Sequence, residues 1–512
     1  MQERASGILV HPSCFPSRGG IGDFGPAAYA FLDFLTEAKQ TLWQILPLAP
    51  VGYGNSPYSG LSAFAGNPFL ISLERLVERG WLAPERLNEL PSDVKPVDFQ
   101  LARSRKFPIL QEAARNFVAH AGREHKERFE KFCWLNGWWL EDFVLFAVLR
   151  RKNNFALWSE WPKDIAARKP EALAKVREQF AEEINLSRLI QFFFFEQWRA
   201  LHQECKRRGI RIVGDVAIFV SYDSSDVWAH PDIFRLKEDL SPEVVAGVPP
   251  DYFSKTGQRW GNPLYRWDVL ASRRYDWWVK RMKFALQICD IVRIDHFRGF
   301  EAYWEIPADE ETAVNGKWVP GPKDHFFKVL REEIGELPVL AEDLGLITPE
   351  VVALRDRLGI PGMKVIQFGF GDPGAHMYLP HRYNKHCVVY TGTHDNDTSV
   401  GWWENCSAKE RAAALVYFGD SSDGVHWAMI RAAESSVAQY CIIQLQDILG
   451  LDSNHRMNIP SYPEGNWTWR YQPGVLEKDL AKKLAALTEV ADRVPLRRGQ
   501  KSHGEGRENF SA

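Results

Sequence analysis

The chain of 512 residues has no CxxC spacing, and its seven cysteines (Cys14, Cys133, Cys205, Cys289, Cys387, Cys406, Cys441) are odd in number and scattered. A disulfide framework and a structural zinc site are both excluded by that pattern, and a reducing, cytoplasmic setting is expected. No segment is expected to approach the ~20 apolar residues of a membrane-spanning helix. The start, "MQERASGILVHPSCFP", lacks the hydrophobic stretch of a signal peptide. There is no surplus of charge: 63 basic against 66 acidic side chains leave a formal net charge of -3. Neither nucleic acid nor an anionic membrane is an expected partner. HxH and HExxH spacings are missing, so no metal is expected. No GxSxG elbow occurs, and the glycines of "GFGDPG" do not open a helix, so no phosphate-binding loop follows any strand.

Aromatic residues, by contrast, are plentiful: 20 Trp, 31 Phe and 15 Tyr. Most belong to a core. Several stand instead among polar and glycine-rich residues: Tyr53 and Tyr58 in "GYGNSPYSG", Trp260 in "GQRWGNP", Trp467 and Trp469 in "GNWTWR". Rigid rings beside polar groups suit ligands with an apolar face and a hydroxyl rim, as sugars have.

Short apolar runs end in acid or histidine followed by turn residues: "GIRIVGDVAIF" (209–219), "DIVRIDHFRGF" (290–300), "LPVLAEDLG" (337–345) and "CVVYTGTHDND" (387–397). Two more, "LWQILPLAP" (42–50) and "MKVIQFGFG" (363–371), also read as strands. Such runs fit strands buried on both faces. Helical patterns lie between them, as in "AYAFLDFLTEAKQ" (28–40) and "ITPEVVALRDRLG" (347–359), the latter with Thr at its N-cap and Pro at N1. Alternation of strand and helix predicts an α/β fold with a parallel sheet. Polar groups at the carboxyl ends of the strands point to a (β/α)8 TIM barrel. A bare barrel needs ~250 residues. The excess is assigned to a helical insertion at 68–200 and an irregular insertion rimming the site at 222–275, all within one catalytic domain at 1–495. Residues 496–512 are expected to be a disordered tail.

In a strand, alternate side chains share a face, so Arg293 and Asp295 point one way and Ile294 the other. Beside Arg293, Asp295 is expected to have a lowered pKa and act as a nucleophile. Glu342, after an apolar run and next to Asp343, is expected to have a raised pKa and act as a general acid. Asp395, between His394 and Asp397, ends a third strand. Paired carboxyls on one cleft are the chemistry of glycoside cleavage.

The motifs "RIDHFRG", "AEDLG" and "GTHDND" resemble those of the 4-alpha-glucanotransferases, glycoside hydrolase family 77 of the alpha-amylase clan. "HPSCFPSRGGIGDFG", "WQILPLAPVGYGNSPYSGLSAFAGNP", "PPDYFSKTGQRWGNPLY" and "RMNIPSYPEGNWTWR" are similar to further blocks of that family, in its order. The resemblance implies Asp295 as nucleophile, Glu342 as acid/base and Asp395 as a third carboxylate that holds and distorts the sugar. It further implies Arg293, His394, Tyr58 and Asp215 around that sugar. Asp251, Tyr252, Phe253 and Trp260 would lie on a loop over the acceptor side, and Tyr53, Ser56 and Asp372 would be further glucan contacts. The implied substrates are maltooligosaccharides and starch- or glycogen-type glucans, with no cofactor. A hydrolase with the same carboxylates and an open acceptor side is the alternative; a non-catalytic glucan-binding scaffold is a second. The family's usual Gly-Thr is Ser-Tyr in "SYPEGNWTWR". Nothing in the pattern specifies an oligomeric state.

Overall fold

The structure, a computed structural model, describes residues 4–92, 95–250, 254–419, 421–460, 462 and 464–494. Its strands are β1 (Ala5–Leu9), β2 (Leu42–Gln44), β3 (Arg211–Ala217), β4 (Val244–Val248), β5 (Gln258–Pro263), β6 (Ile291–Asp295), β7 (Ala302–Pro307), β8 (Lys317–Pro320), β9 (Val339–Ala341), β10 (Gly362–Val365), β11 (Cys387–Tyr390) and β12 (Tyr440–Gln444). Eight of them close into a parallel barrel in the order β1-β12-β11-β10-β9-β6-β3-β2, and pairing of Gly7 with Leu42 helps join β1 to β2. Gly7 has a steric reason: a Cβ there would stand 2.2 Å from the Leu42 carbonyl oxygen.

The six apolar runs read as strands supply β2, β3, β6, β9, β10 and β11. The run at 42–50 is strand only over Leu42–Gln44. Missing from that reading are β1, whose "ASGIL" has few large apolar groups, and β12, whose "YCIIQ" runs straight into the helix Leu445–Ile448. The helical patterns at 28–40 and 347–359 form Pro26–Glu37 and Pro349–Arg357. Thr348 occupies the N-cap of the second, but its side chain makes no capping bond.

Between β2 and β3 the chain is mostly helical, with Phe107–His120, Arg123–Lys152, Pro170–Gln179 and Ala181–Arg207 as its longer helices. The expected boundary at 200 falls inside Ala181–Arg207, which leads into β3. Within Arg123–Lys152 an 18-residue window has a mean hydropathy of 1.3, enough by length and composition to cross a membrane. This corrects the expectation that no segment approaches a membrane-spanning helix in length and composition. Half of that window is buried in the protein. Its Phe132 ring meets Phe192 and Phe195 at 5.8 and 5.7 Å, and its Glu141 and Asp142 pair with Arg188 and Arg168. These are the contacts of a core helix.

The segment 222–275, expected to be irregular, contains β4, β5 and two short helices, Ser225–Ala229 and Trp267–Ser272. The strands join β7 and β8 in an antiparallel sheet ordered β5-β4-β7-β8. β5 pairs with its chain neighbour β4, whose other partner, β7, lies beyond β6 in the chain, and pairing at that separation leaves little local trace. Asn262 Nδ2 donates to the Val220 carbonyl at 2.9 Å and ties this sheet to the loop after β3. Residues 496–512 lie outside the described residues.

One buried ion pair joins the start of the helical region to the loop after β1. Lys106 Nζ lies 2.9 Å from Asp23 Oδ2, with both side chains excluded from water, and also donates to the Phe69 carbonyl at 2.8 Å. Lys106→Met would leave Asp23 unpaired in the interior. The expected cost is about 3–5 kcal/mol, read as a lower denaturant midpoint. Asp23→Asn in the same background should recover part of it. An unchanged midpoint for Lys106→Met would contradict this account.

Candidate active site

The charged residues meet at the carboxyl end of the barrel. Register sets the first layer: Asp215 of β3 lies opposite Arg293 of β6, and Ala217 opposite Asp295. Arg293 Nη1 donates to Asp215 Oδ1 and Oδ2 at 2.8 and 2.7 Å and to Asp295 Oδ1 at 3.0 Å. The small Ala217 leaves room beside Asp295. Ile294, between the two charged residues, is buried against the other side, as the strand alternation requires. On Asp215, a second bond comes from the Tyr58 hydroxyl at 2.8 Å. Burial would depress the Arg293 guanidinium, but Asp215 and Asp295 hold its pKa well above the ordinary value.

Glu342 follows β9 directly. Its amide donates to the Ile294 carbonyl at 3.0 Å, and its carbonyl accepts from the Phe297 amide at 3.0 Å. The carboxylate is held by backbone: Oε2 accepts from the His296 amide at 2.8 Å and Oε1 from the Leu344 amide at 2.9 Å. Those bonds favour the anion, yet burial outweighs them, and the pKa is pushed up to about 7. The Asp295 pKa is raised as well, by burial and by the charges of Asp215 and Asp395, with Arg293 opposing. This corrects the expectation that Arg293 alone would lower it: that guanidinium is shared with Asp215. Between the two carboxyls, Glu342 keeps its proton to higher pH, because Asp295 has a direct bond to Arg293 and an intrinsically lower pKa.

Asp395 lies in the turn after β11. Burial alone would raise it, but His394, whose Nε2 is 3.3 Å from Asp395 Oδ2, and Asn458 Nδ2, which donates to Oδ1 at 2.7 Å, hold it well below the ordinary carboxylate range. Burial would lower His394; the Asp395 charge raises it. The imidazole stacks on the Tyr58 ring, with centroids 5.0 Å apart and planes 17° apart. Tyr58 is in turn placed by Ser56, whose hydroxyl accepts from the Tyr58 amide at 3.2 Å. Trp260 of β5 meets the His296 ring edge to face at 4.8 Å and is 39% exposed.

Asp215, Arg293, Asp295, Tyr58, His394 and Asp395 thus form one hydrogen-bonded and stacked cluster; Glu342 is coupled to it through the charges of Arg293 and Asp295, and Trp260 stands at its rim through His296. Tyr53 is 79% exposed, and Asp372 pairs with Lys409 at 3.2 Å at the surface. Asp251, Tyr252 and Phe253 lie outside the described residues. Sequence reasoning did not assign Asn458 or His296 to the site, and it named Trp467 only among the rings suited to a sugar. Trp467 packs 6.0 Å from both Tyr58 and His394. The block "RMNIPSYPEGNWTWR" held Asn458 and Trp467, and adjacency to Asp295 was the signal for His296. Among the described residues, no group of three or more His, Cys, Asp and Glu has the arrangement of a metal site.

Comparison with known proteins gives a consistent answer. The family model described as 4-alpha-glucanotransferase matches residues 10–477. The chain is 48% identical to a 4-alpha-glucanotransferase of Thermus thermophilus, over 96% of this chain and 99% of that one. It is 45% identical to a 4-alpha-glucanotransferase of Clostridium butyricum, over 94% of this chain and all of that one. Amylomaltase from Streptococcus agalactiae, solved in complex with acarbose, superposes with a TM-score of 0.93 at 37% identity, covering 96% of this chain and 100% of that one.

The His394–Asp395 pair predicts a titration. The folded His394 pKa is raised, so its contribution to stability is fully present below the ordinary value of 6.5 and is lost as pH rises through the raised value. Histidine-selective NMR should find His394 titrating above 6.5. In Asp395→Asn burial should prevail and bring it below that value. A His394 that titrates identically in both would contradict the pairing.

Proposed function

The chain belongs to the 4-alpha-glucanotransferase family and is a glycosyltransferase of α-1,4-glucans, and from that premise we propose a retaining double displacement with Asp295 as nucleophile and Glu342 as acid/base. One observation carries the reading: two carboxyls of one mouth are held by different partners, one by a cation and one by backbone amides. Asp295 is bonded to a guanidinium; Glu342 is half-buried and its carboxyl is held by backbone amides, with its pKa pushed up to about 7. A carboxyl bonded to a cation is suited to attack as the anion, and one that keeps its proton near neutrality is suited to give it up.

In the first step Asp295 attacks the anomeric carbon of the donor glucan. The glycosidic bond breaks, and the departing oxygen takes its proton from Glu342. In the second, Glu342 as carboxylate removes the proton from the 4-hydroxyl of the acceptor glucan. That oxygen attacks the anomeric carbon and releases Asp295, so configuration is retained. Asp395, kept ionised by His394 and Asn458, accepts hydroxyls of the sugar being cleaved. Tyr58, fixed by Asp215 and Ser56, offers its ring to that sugar. Tyr53, Ser56 and Asp372 are assigned to more distant glucan units. The exposed ring of Trp260 belongs to the acceptor side, where it would hold the incoming chain and exclude water. Maltooligosaccharides and starch- or glycogen-type glucans are the substrates of this reading. A cytoplasmic location is part of it, supported by seven cysteines that are all free.

With maltotriose alone, the enzyme should produce glucose together with a ladder of longer maltooligosaccharides and constant total reducing ends. Glucose and maltose with rising reducing ends would mean hydrolysis instead. Glu342→Gln should lower kcat by about 10²–10⁴-fold, and Asp295→Asn should reduce it to background. The wild-type rate should fall as pH rises through about 7, where Glu342 loses its proton. An alkaline limb that survives in Glu342→Gln would remove that residue from the acid role.

A further inference from the structure

His296 stands immediately after Asp295, yet no step above uses it. Its backbone is left-handed, with φ 52° and ψ 50°. A residue other than glycine keeps that state only where the surroundings hold it. The consequence is directional: the His296 amide is turned onto Glu342 Oε2 at 2.8 Å. The ring is 9% exposed, and its buried Nε2 has no hydrogen-bond partner among the described residues. It is therefore placed by packing. From above it meets Trp260, edge to face at 4.8 Å. On another side is Gly299, where a Cβ would come within 3.3 Å of His296 Cδ2 and 2.8 Å of Ile218 Cδ1. The ring is wedged between the acceptor-side aromatic and the turn that follows the nucleophile.

We propose that His296 is a positioning residue with two separable parts: its left-handed backbone aims the Glu342 carboxyl, and its imidazole props Trp260 in place for the acceptor glucan. This rests on the reading of Glu342 as acid/base and Trp260 as an acceptor-side ring. It assigns the coupling of acid and acceptor sides to a single residue. With burial and Arg298 pushing its pKa down to about 3, the ring carries no charge at working pH, so its action on Trp260 is steric.

Two variants separate the parts. Asparagine tolerates the left-handed state but is too short to reach Trp260 as the imidazole does. His296→Asn should raise the acceptor KM by about tenfold and increase the share of hydrolysis, while the alkaline limb of the pH profile stays in place. Tenfold corresponds to one weakened contact of ~1.4 kcal/mol. A β-branched residue resists positive φ. His296→Val should shift that limb and lower kcat with donor and acceptor both saturating. Should Val prevent folding, His296→Ala, with less strain, reads the same limb. A wild-type acceptor KM and product ratio in His296→Asn would overturn the role of the ring. A wild-type pH limb in the folded Val or Ala variant would overturn the role of the backbone. Failure of the underlying reading is distinct, because it would appear as an alkaline limb that persists in Glu342→Gln.

Discussion

The site depends on a single guanidinium. Arg293 is buried in the barrel and bonded to two carboxylates, Asp215 beneath it and Asp295 at the mouth. Without it, Asp215 would be an unpaired interior charge, which no protein interior tolerates cheaply. With it, Asp215 can anchor the Tyr58 hydroxyl. Tyr58 then carries the His394 ring on its face, and His394 sets the charge of Asp395. A chain of contacts thus runs from one arginine across the barrel mouth. Sharing has a chemical effect as well. A guanidinium divided between two anions stabilises each less than it would one alone, and burial then raises the Asp295 pKa.

The rest of the architecture supplies what the strand ends lack. β9 stops at Ala341, so Glu342 enters the mouth on the first residue of a loop, its carboxyl fixed by amides of the two flanking turns. Backbone bonds orient the carboxyl, and burial outweighs both them and the charge of Arg293 to raise its pKa. The antiparallel sheet of β4, β5, β7 and β8 grows from loops on either side of β6 and sets Trp260 above the turn at 296–300. The helical region between β2 and β3 packs on the outside of the barrel, where Trp198 meets Trp43 of β2, and the loop carrying Tyr58 connects β2 to that region.

Much of this was legible in the chain itself. Runs such as "IVRID" and "CVVY" are strands because short apolar segments ended by charge have few other ways to pack, and the acids at their ends did converge. β1 and β12 were not legible. "ASGIL" is shaped by contact with Leu42, and "YCIIQ" continues into a helix, so neither shows its strand period. The second sheet was hidden because its centre, β4, pairs on one side with β7, a strand beyond β6. The pKa of Asp295 was misjudged for the same kind of reason. The sequence places Arg293 two residues away, but only the folded barrel brings Asp215 to the same guanidinium. Asn458, a bond partner of Asp395, lies 63 residues further along the chain.

The claim at the centre of this account is a covalent bond between glucan and Asp295. The direct measurement uses a fluorinated glucosyl donor that forms the intermediate quickly and releases it slowly, followed by proteolysis and mass spectrometry. The account predicts a glycosyl adduct on the peptide containing Asp295, absent from Asp295→Asn. An adduct on another carboxylate, or rapid turnover of the donor through inverted product with no adduct at all, would contradict it.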